Sequence, residues 1–221
     1  MIIHEFENGD KLNKYNRCLV AKFSGRRKVM GTSASHNGGY REDLIAIFNH
    51  DVNSGESREC PYMNQTEDDR KAFIENELGL DHAKTAYMAT IVSMDNAVIE
   101  TLTYDIISVT AVVTASLEVN GGRIGEEGTS YEKYGKSEKL NPGTINTMVF
   151  CNANMTPGCM ARAIMTATEA KTAALQELLA PSLRSSGIAT GSGTDNIMII
   201  ADAESDNPLT YSGKHGKLGE L

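Results

Sequence analysis

Residues 97–119 read AVIETLTYDIISVTAVVTASLEV. The stretch is rich in β-branched side chains, and Ile107, Val109, Ala111 and Val113 alternate with Ser108, Thr110 and Thr114. A period of two belongs to a strand with one face on a core. It predicts two long antiparallel strands, 97–104 and 106–119. C-terminal to them, TINTMVFCN (144–152) and NIMIIAD (196–202) also have strand character. Between these two runs, Thr156 stands as N-cap and Pro157 at the first helical position, so a helix is predicted from 157 to about Leu179, before Pro181.

N-terminal to the quoted stretch, 17–23 alternates around Leu19, Ala21 and Phe23. After Arg26-Arg27-Lys28 a second strand, 29–34, is predicted to close a hairpin with it. SHNGG (35–39) would end the hairpin, and REDLIAIFNH (41–50) places Leu44, Ile45 and Phe48 on one helical face. The polar run 51–70 reads as a loop, with helices at 71–78, closed by Gly79, and at 81–90. The glycine-rich, charged segment 120–142 reads as an exposed loop. The fold expected is α/β: a single mixed-sheet layered domain over 1–221, with at least one antiparallel strand pair and a long helix at 157–179.

Of 221 residues, 40% are hydrophobic and 23% charged, the composition of a globular chain. A net charge of −8 repels phosphate backbones and anionic headgroups, so nucleic acid and membrane are not expected partners. No apolar run approaches a bilayer span. The start, MIIHEFENGDK, carries acids where a secretory signal is basic, so a cytoplasmic location is expected. Cys18, Cys60, Cys151 and Cys159 include no C-x-x-C pair, which argues for reduced, packed thiols.

The chemistry is concentrated on the long helix and two glycine turns. Met160, Ile164, Ala167, Ala174 and Leu178 form an apolar stripe with Lys171 in its middle. An ammonium there needs a carboxylate or carbonyl partner, and Asp195 is the first candidate. Glu169, two positions away, points elsewhere. Thr168 shares a face with Lys171, which could deprotonate it, although a mid-helix threonine is more often bonded to backbone. GSGTD (191–195) lacks a P-loop ending, but its N–H groups can converge on an oxyanion with Asp195 as an orienting carboxylate. Asn37-Gly38-Gly39 is read likewise. His36 and His215 lie in glycine-containing segments, and no two-His-plus-acid spacing suggests a protein-held metal.

SASHNGG (33–39), PGTINTMVFCNANM (142–155), TATEAKTAAL (166–175), ATGSGTDNIMIIAD (189–202) and SGKHGKLGEL (212–221) together resemble the adenosylcobinamide amidohydrolases. The resemblance runs from about Arg17 to Glu220. It implies corrinoid salvage, in which the secondary amide between adenosylcobyric acid and aminopropanol is hydrolysed. Glu169, Lys171 and Thr168 are then the catalytic candidates. Ser33, Asn37, Gly38, Gly39, Thr144, Asn146, Thr190, Gly191, Gly193, Thr194, Asp195 and His215 are the substrate-binding ones, expected around one cleft. No cofactor is implied, cobalt belonging to the substrate, and the chain could assemble as a homo-oligomer. Ser192 stands where the family has threonine, the 51–70 excursion is foreign to the family, and the helix that follows LGEL in the family is expected to be missing or supplied by a partner. A non-catalytic corrinoid carrier on the same scaffold is the alternative.

Overall fold

The computed structural model describes residues 1–33, 37–53, 66–128, 130–134 and 144–221. Strands follow one another in the N-terminal part: β1 (Ile2–Glu5), β2 (Lys11–Tyr15), β3 (Cys18–Lys22), β4 (Arg27–Gly31), β5 (Gly39–Arg41) and β6 (Ala46–Asp51). Helix α1 (Glu67–Ala72), continued by one wide π turn at Phe73–Glu77, precedes β7 (Thr85–Thr90), β8 (Val98–Tyr104) and β9 (Ile107–Ala115). Then come β10 (Gly121–Gly122), β11 (Ile145–Cys151), β12 (Asn154–Met155), α2 (Pro157–Glu177), β13 (Gly191–Ser192), β14 (Asn196–Asp202), β15 (Pro208–Leu209) and the short α3 (Lys217–Glu220).

The strands form a five-stranded sheet, β1-β2-β3-β6-β7, and a six-stranded sheet, β5-β4-β14-β11-β9-β8. The pairs β6–β7 and β11–β14 are parallel, and β8–β9 is antiparallel in the register Val98↔Val113 to Tyr104↔Ile107. The fold is thus the mixed α/β class that the alternation predicted. The two sheets share a core in which Leu12, Leu19, Ile47 and Met88 meet Val29, Val112, Met148 and Ile200. Ile74 and Leu78 cover the outer face of the first sheet through Val20 and Phe48. Helix α2 covers the outer face of the second through Cys159 and Met160 against Ile197 and Ile199. The order of layers is helix, sheet, sheet, helix, and each such buried side chain contributes roughly 1.5–3 kcal/mol.

Helix α2 starts where its caps require. The Thr156 hydroxyl accepts from Cys159 N at 3.2 Å, Pro157 occupies the first turn, and past the last turn Leu179 is left-handed at φ 51°.

Four local expectations change. The 17–34 hairpin does not form, because β3 pairs with β2 and β6, while β4 pairs with β14 and β5. The chain crosses between sheets just before Arg27, a 1% exposed side chain. Its Nε and Nη2 donate to Asp10 at 2.8 and 2.9 Å, and its Nη1 to Asp202 at 3.1 Å. These buried ion pairs seat β4 in the second sheet.

The helix expected over 41–50 is instead the end of β5 and all of β6, and the helix over 81–90 is a turn at His82–Lys84 followed by β7. All six residues of β6 are buried. A strand buried on both faces loses its alternation, and over so short a run cannot be told from a helix by period. The helix expected at 71–78 begins earlier, at Glu67, on a capping box between Thr66 and Asp69. Of the 51–70 excursion and the 120–142 loop, residues 54–65, 129 and 135–142 lie outside the described residues.

Candidate active site

The site starts from the side of α2 that faces the second sheet. There the Lys171 ammonium donates to Oδ2 of Asp195, and the two side chains are 16% and 14% exposed. The turn between β13 and β14 is built around that carboxylate. Ser192 N donates to both its oxygens at 3.1 Å, Ser192 Oγ to Oδ1 at 2.6 Å, and Ile145 N to Oδ1 at 3.1 Å. Asp195 therefore takes four donors, Lys171 Nζ, Ser192 N, Ser192 Oγ and Ile145 N, two of them from its own turn.

From Asp195 a polar band crosses the end of the second sheet. Thr144 Oγ1 donates to Thr194 O at 2.6 Å and to Asn146 Oδ1 at 3.3 Å. Asn146 Nδ2 then donates to Asn49 Oδ1 at 2.8 Å and to Ala89 O at 3.1 Å, both in the first sheet. Above the band, β10 pairs with β13, and Ile124 N donates to Thr190 Oγ1 at 2.9 Å. Thr172 Oγ1 of α2 donates to Thr190 O at 3.1 Å. Thr144, Asn146, Lys171, Thr190, Gly191, Gly193, Thr194 and Asp195 thus gather at one end of the second sheet.

Lys171 also borders a cavity of about 480 Å³ beside α2, where Ala163, Ala167, Ala170 and Ala174 stand off from Val109 and Val113 of β9. Its walls are apolar, so the ammonium and the neighbouring turn are where a polar ligand group would be oriented.

Other sequence candidates lie elsewhere. Glu169 is exposed on the outer side of α2, two positions and some 200° of helix from Lys171. Thr168 is exposed and gives its hydroxyl to Ile164 O at 2.8 Å, the back-bonding expected inside a helix rather than a nucleophile presented to Lys171. His215 is exposed on the loop before α3, whose Lys217 ammonium sits 4.5 Å from the Tyr104 ring centre, at the sheet end opposite Asp195.

The NGG turn is tied to the first sheet. Asn37, at φ 50°, donates to Thr85 O at 2.8 Å and accepts from Arg41 Nη1 at 2.8 Å. Thr85 opens β7 and Ala89 is four residues on, roughly 13 Å at the usual strand rise, so Asn37 and Asn146 are anchored well apart. Gly38 lies so close to the buried Ser33 that a Cβ there would be 1.8 Å from Ser33 O, and Gly39 is left-handed at φ 81°. The glycines of this turn serve its own tight path. His36 lies outside the described residues.

Two residues of the band were not anticipated, Asn49 and Thr114, whose Oγ1 accepts from Asn49 Nδ2 at 2.8 Å. Asn49 is the one amide of the buried strand AIFNHD (46–51), and reading that stretch as a helix obscured it. Among the described residues no group of three or more His, Cys, Asp or Glu is arranged to hold a metal, and no helix is long and apolar enough to cross a membrane.

An uncharacterized protein of Methanocaldococcus jannaschii, MJ1613, is 32% identical over 225 residues, which cover 96% of this chain and 83% of the relative. The profile of the adenosylcobinamide amidohydrolases, CbiZ, matches residues 2–221, and so takes in the second sheet, α2 and the whole Lys171–Asp195 turn. On a match of that extent the chain belongs to the adenosylcobinamide amidohydrolase family.

Proposed function

We propose that the chain hydrolyses the amide between adenosylcobyric acid and aminopropanol in adenosylcobinamide, as a step of corrinoid salvage in the cytoplasm. The observation that carries the reading is the Lys171 ammonium held on Asp195 at the rim of a cavity, within a chain of this family. One N–H of Lys171 goes to Asp195, and the ammonium has two more to offer a substrate carbonyl.

Water adds to the amide carbon, negative charge gathers on its oxygen, and Lys171 donates to that oxygen. The C–N bond then breaks, its electron pair and both protons of the water leaving with aminopropanol as its ammonium, and the corrinoid keeps a carboxylate. A single positioned donor of this kind is worth ~10²–10³ in rate. The amides around a corrin edge suit the hydroxyl and amide groups beside the pair. The chain itself brings no cofactor in this reading, cobalt arriving within the substrate.

A second reading, a corrinoid carrier without catalysis, draws on the outward Glu169 and the back-bonded Thr168, which leave the pair without the acid or hydroxyl expected beside it. Incubation with adenosylcobinamide and analysis for free aminopropanol separates the two. Release at a rate proportional to protein supports hydrolysis, and retention of intact substrate on the protein supports the carrier.

A further inference from the structure

Asn49 and Asn146 are each 1% exposed and lie between the two sheets, at the edge of a core that is otherwise apolar. Their amides are committed to one another. Asn146 Nδ2 donates to Asn49 Oδ1 at 2.8 Å, and Asn49 Nδ2 donates to Thr114 Oγ1 at 2.8 Å. The remaining oxygen of Asn146 faces the turn, accepting from Thr144 Oγ1 at 3.3 Å and from Asn196 Nδ2 at 3.4 Å. Both of those donors also bond Thr194 O, at 2.6 and 3.0 Å. A continuous chain of hydrogen bonds therefore runs from β6 in the first sheet to the residue preceding Asp195.

A buried amide pair adds little stability over a packed apolar pair, because it must first give up its water. What it supplies is a unique arrangement, since each amide has one orientation that satisfies all its partners. We infer that Asn49 is a positioning residue: acting through Asn146, it fixes the Thr194–Asp195 turn and with it the hold of Asp195 on Lys171. The consequence for turnover rests on the amidohydrolase reading, whereas the consequence for Lys171 does not. Asn146 is then a link in the support of the site rather than a group that touches substrate.

The test is acylation of the folded protein with acetic anhydride, with labelling of each lysine followed by peptide mass spectrometry. Lys28 is the internal control, since its ammonium is bonded to Asn154 Oδ1 at 2.7 Å, at the opposite end of β14. In Asn49→Leu, Lys171 is expected to be labelled at least fivefold faster than in the unaltered protein, with Lys28 unchanged. Aminopropanol release should then show kcat down at least tenfold and KM within threefold. Thr114→Val, which removes the acceptor of Asn49 at nearly constant volume, should at least double Lys171 labelling. Unchanged Lys171 labelling in both variants overturns the inference. So does a parallel rise at Lys28, which would mean that Asn49 merely holds the sheets together. If the unaltered protein releases no aminopropanol, the amidohydrolase reading fails, and the labelling still decides the role of Asn49.

Discussion

A Cβ placed on Gly191 would lie 2.3 Å from Oδ2 of Asp195, the same oxygen that holds Lys171, and 2.7 Å from the lysine nitrogen itself. Gly191 does not have a left-handed φ, so space rather than conformation demands glycine here. Gly191→Ala should push Lys171 and Asp195 apart, lowering kcat for adenosylcobinamide at least tenfold and the melting temperature by several degrees. Gly158→Ala, at a helical glycine with nothing within 4 Å of its Cβ, should leave kcat unchanged and should not lower the melting temperature. Assaying both variants in parallel checks the claim.

Lys171→Met removes the cation and leaves Asp195 with its three other donors. Loss of one partner from a fully buried pair costs about 3–5 kcal/mol, and the retained bonds from Ser192 and Ile145 put the loss near or below the lower end. Turnover should fall ~10²–10³-fold. The double variant Lys171→Met/Asp195→Asn should recover much of the stability and none of the activity. Urea unfolding and kcat, measured on the same preparations, test the two halves separately.

Glu169→Gln should leave kcat within about twofold and stability within about 0.5 kcal/mol, the range of surface substitutions. The carboxylate is exposed, and among the described residues it has no hydrogen-bonding or charged partner. A tenfold loss of kcat in a variant with unchanged melting temperature would return Glu169 to the chemistry, with substrate reaching the outer side of α2.

His50 carries a pH dependence of stability. Burial, and secondarily the charge of Arg17, push its imidazole from 6.5 down to about 4, and its ring stacks on Phe73 at 4.5 Å. The unfolded chain therefore takes up the proton first. The contribution of the neutral ring is intact above pH 6.5 and is lost as pH falls toward 4, by about 3 kcal/mol in all. Unfolding free energies at pH 7 and pH 4 should differ by up to that much more in the unaltered protein than in His50→Gln. Equal differences would remove His50 as the cause.

The strands at 98–104, 107–115, 145–151 and 196–202 and the helix at 157–177 were legible because each has its own periodic or capping signal. Alternation marks a strand with two unlike faces, and Thr156-Pro157 marks a helix start whatever lies around it. The strands 46–51 and 85–90 were not legible as strands. The first is buried throughout and the second at five of its six residues, and a residue covered on both faces has no pattern to display. The partner of Lys171 could be anticipated for a related reason: an ammonium on an apolar stripe must be neutralised, and Asp195 lay at the end of a turn able to reach it.

Sequence alone thus determined the fold class, the family resemblance and the need of Lys171 for an acid, because these follow from the periodicity, motifs and desolvation of single segments. Tertiary structure decided the pairing of β3 and β4 with separate sheets, the outward turn of Glu169, and the link from Asn49 through Asn146 to Thr194. Those depend on which surfaces meet. Such meetings are set by the packing of segments distant in the chain, as Asn49 and Asn146 are, and no local pattern records them.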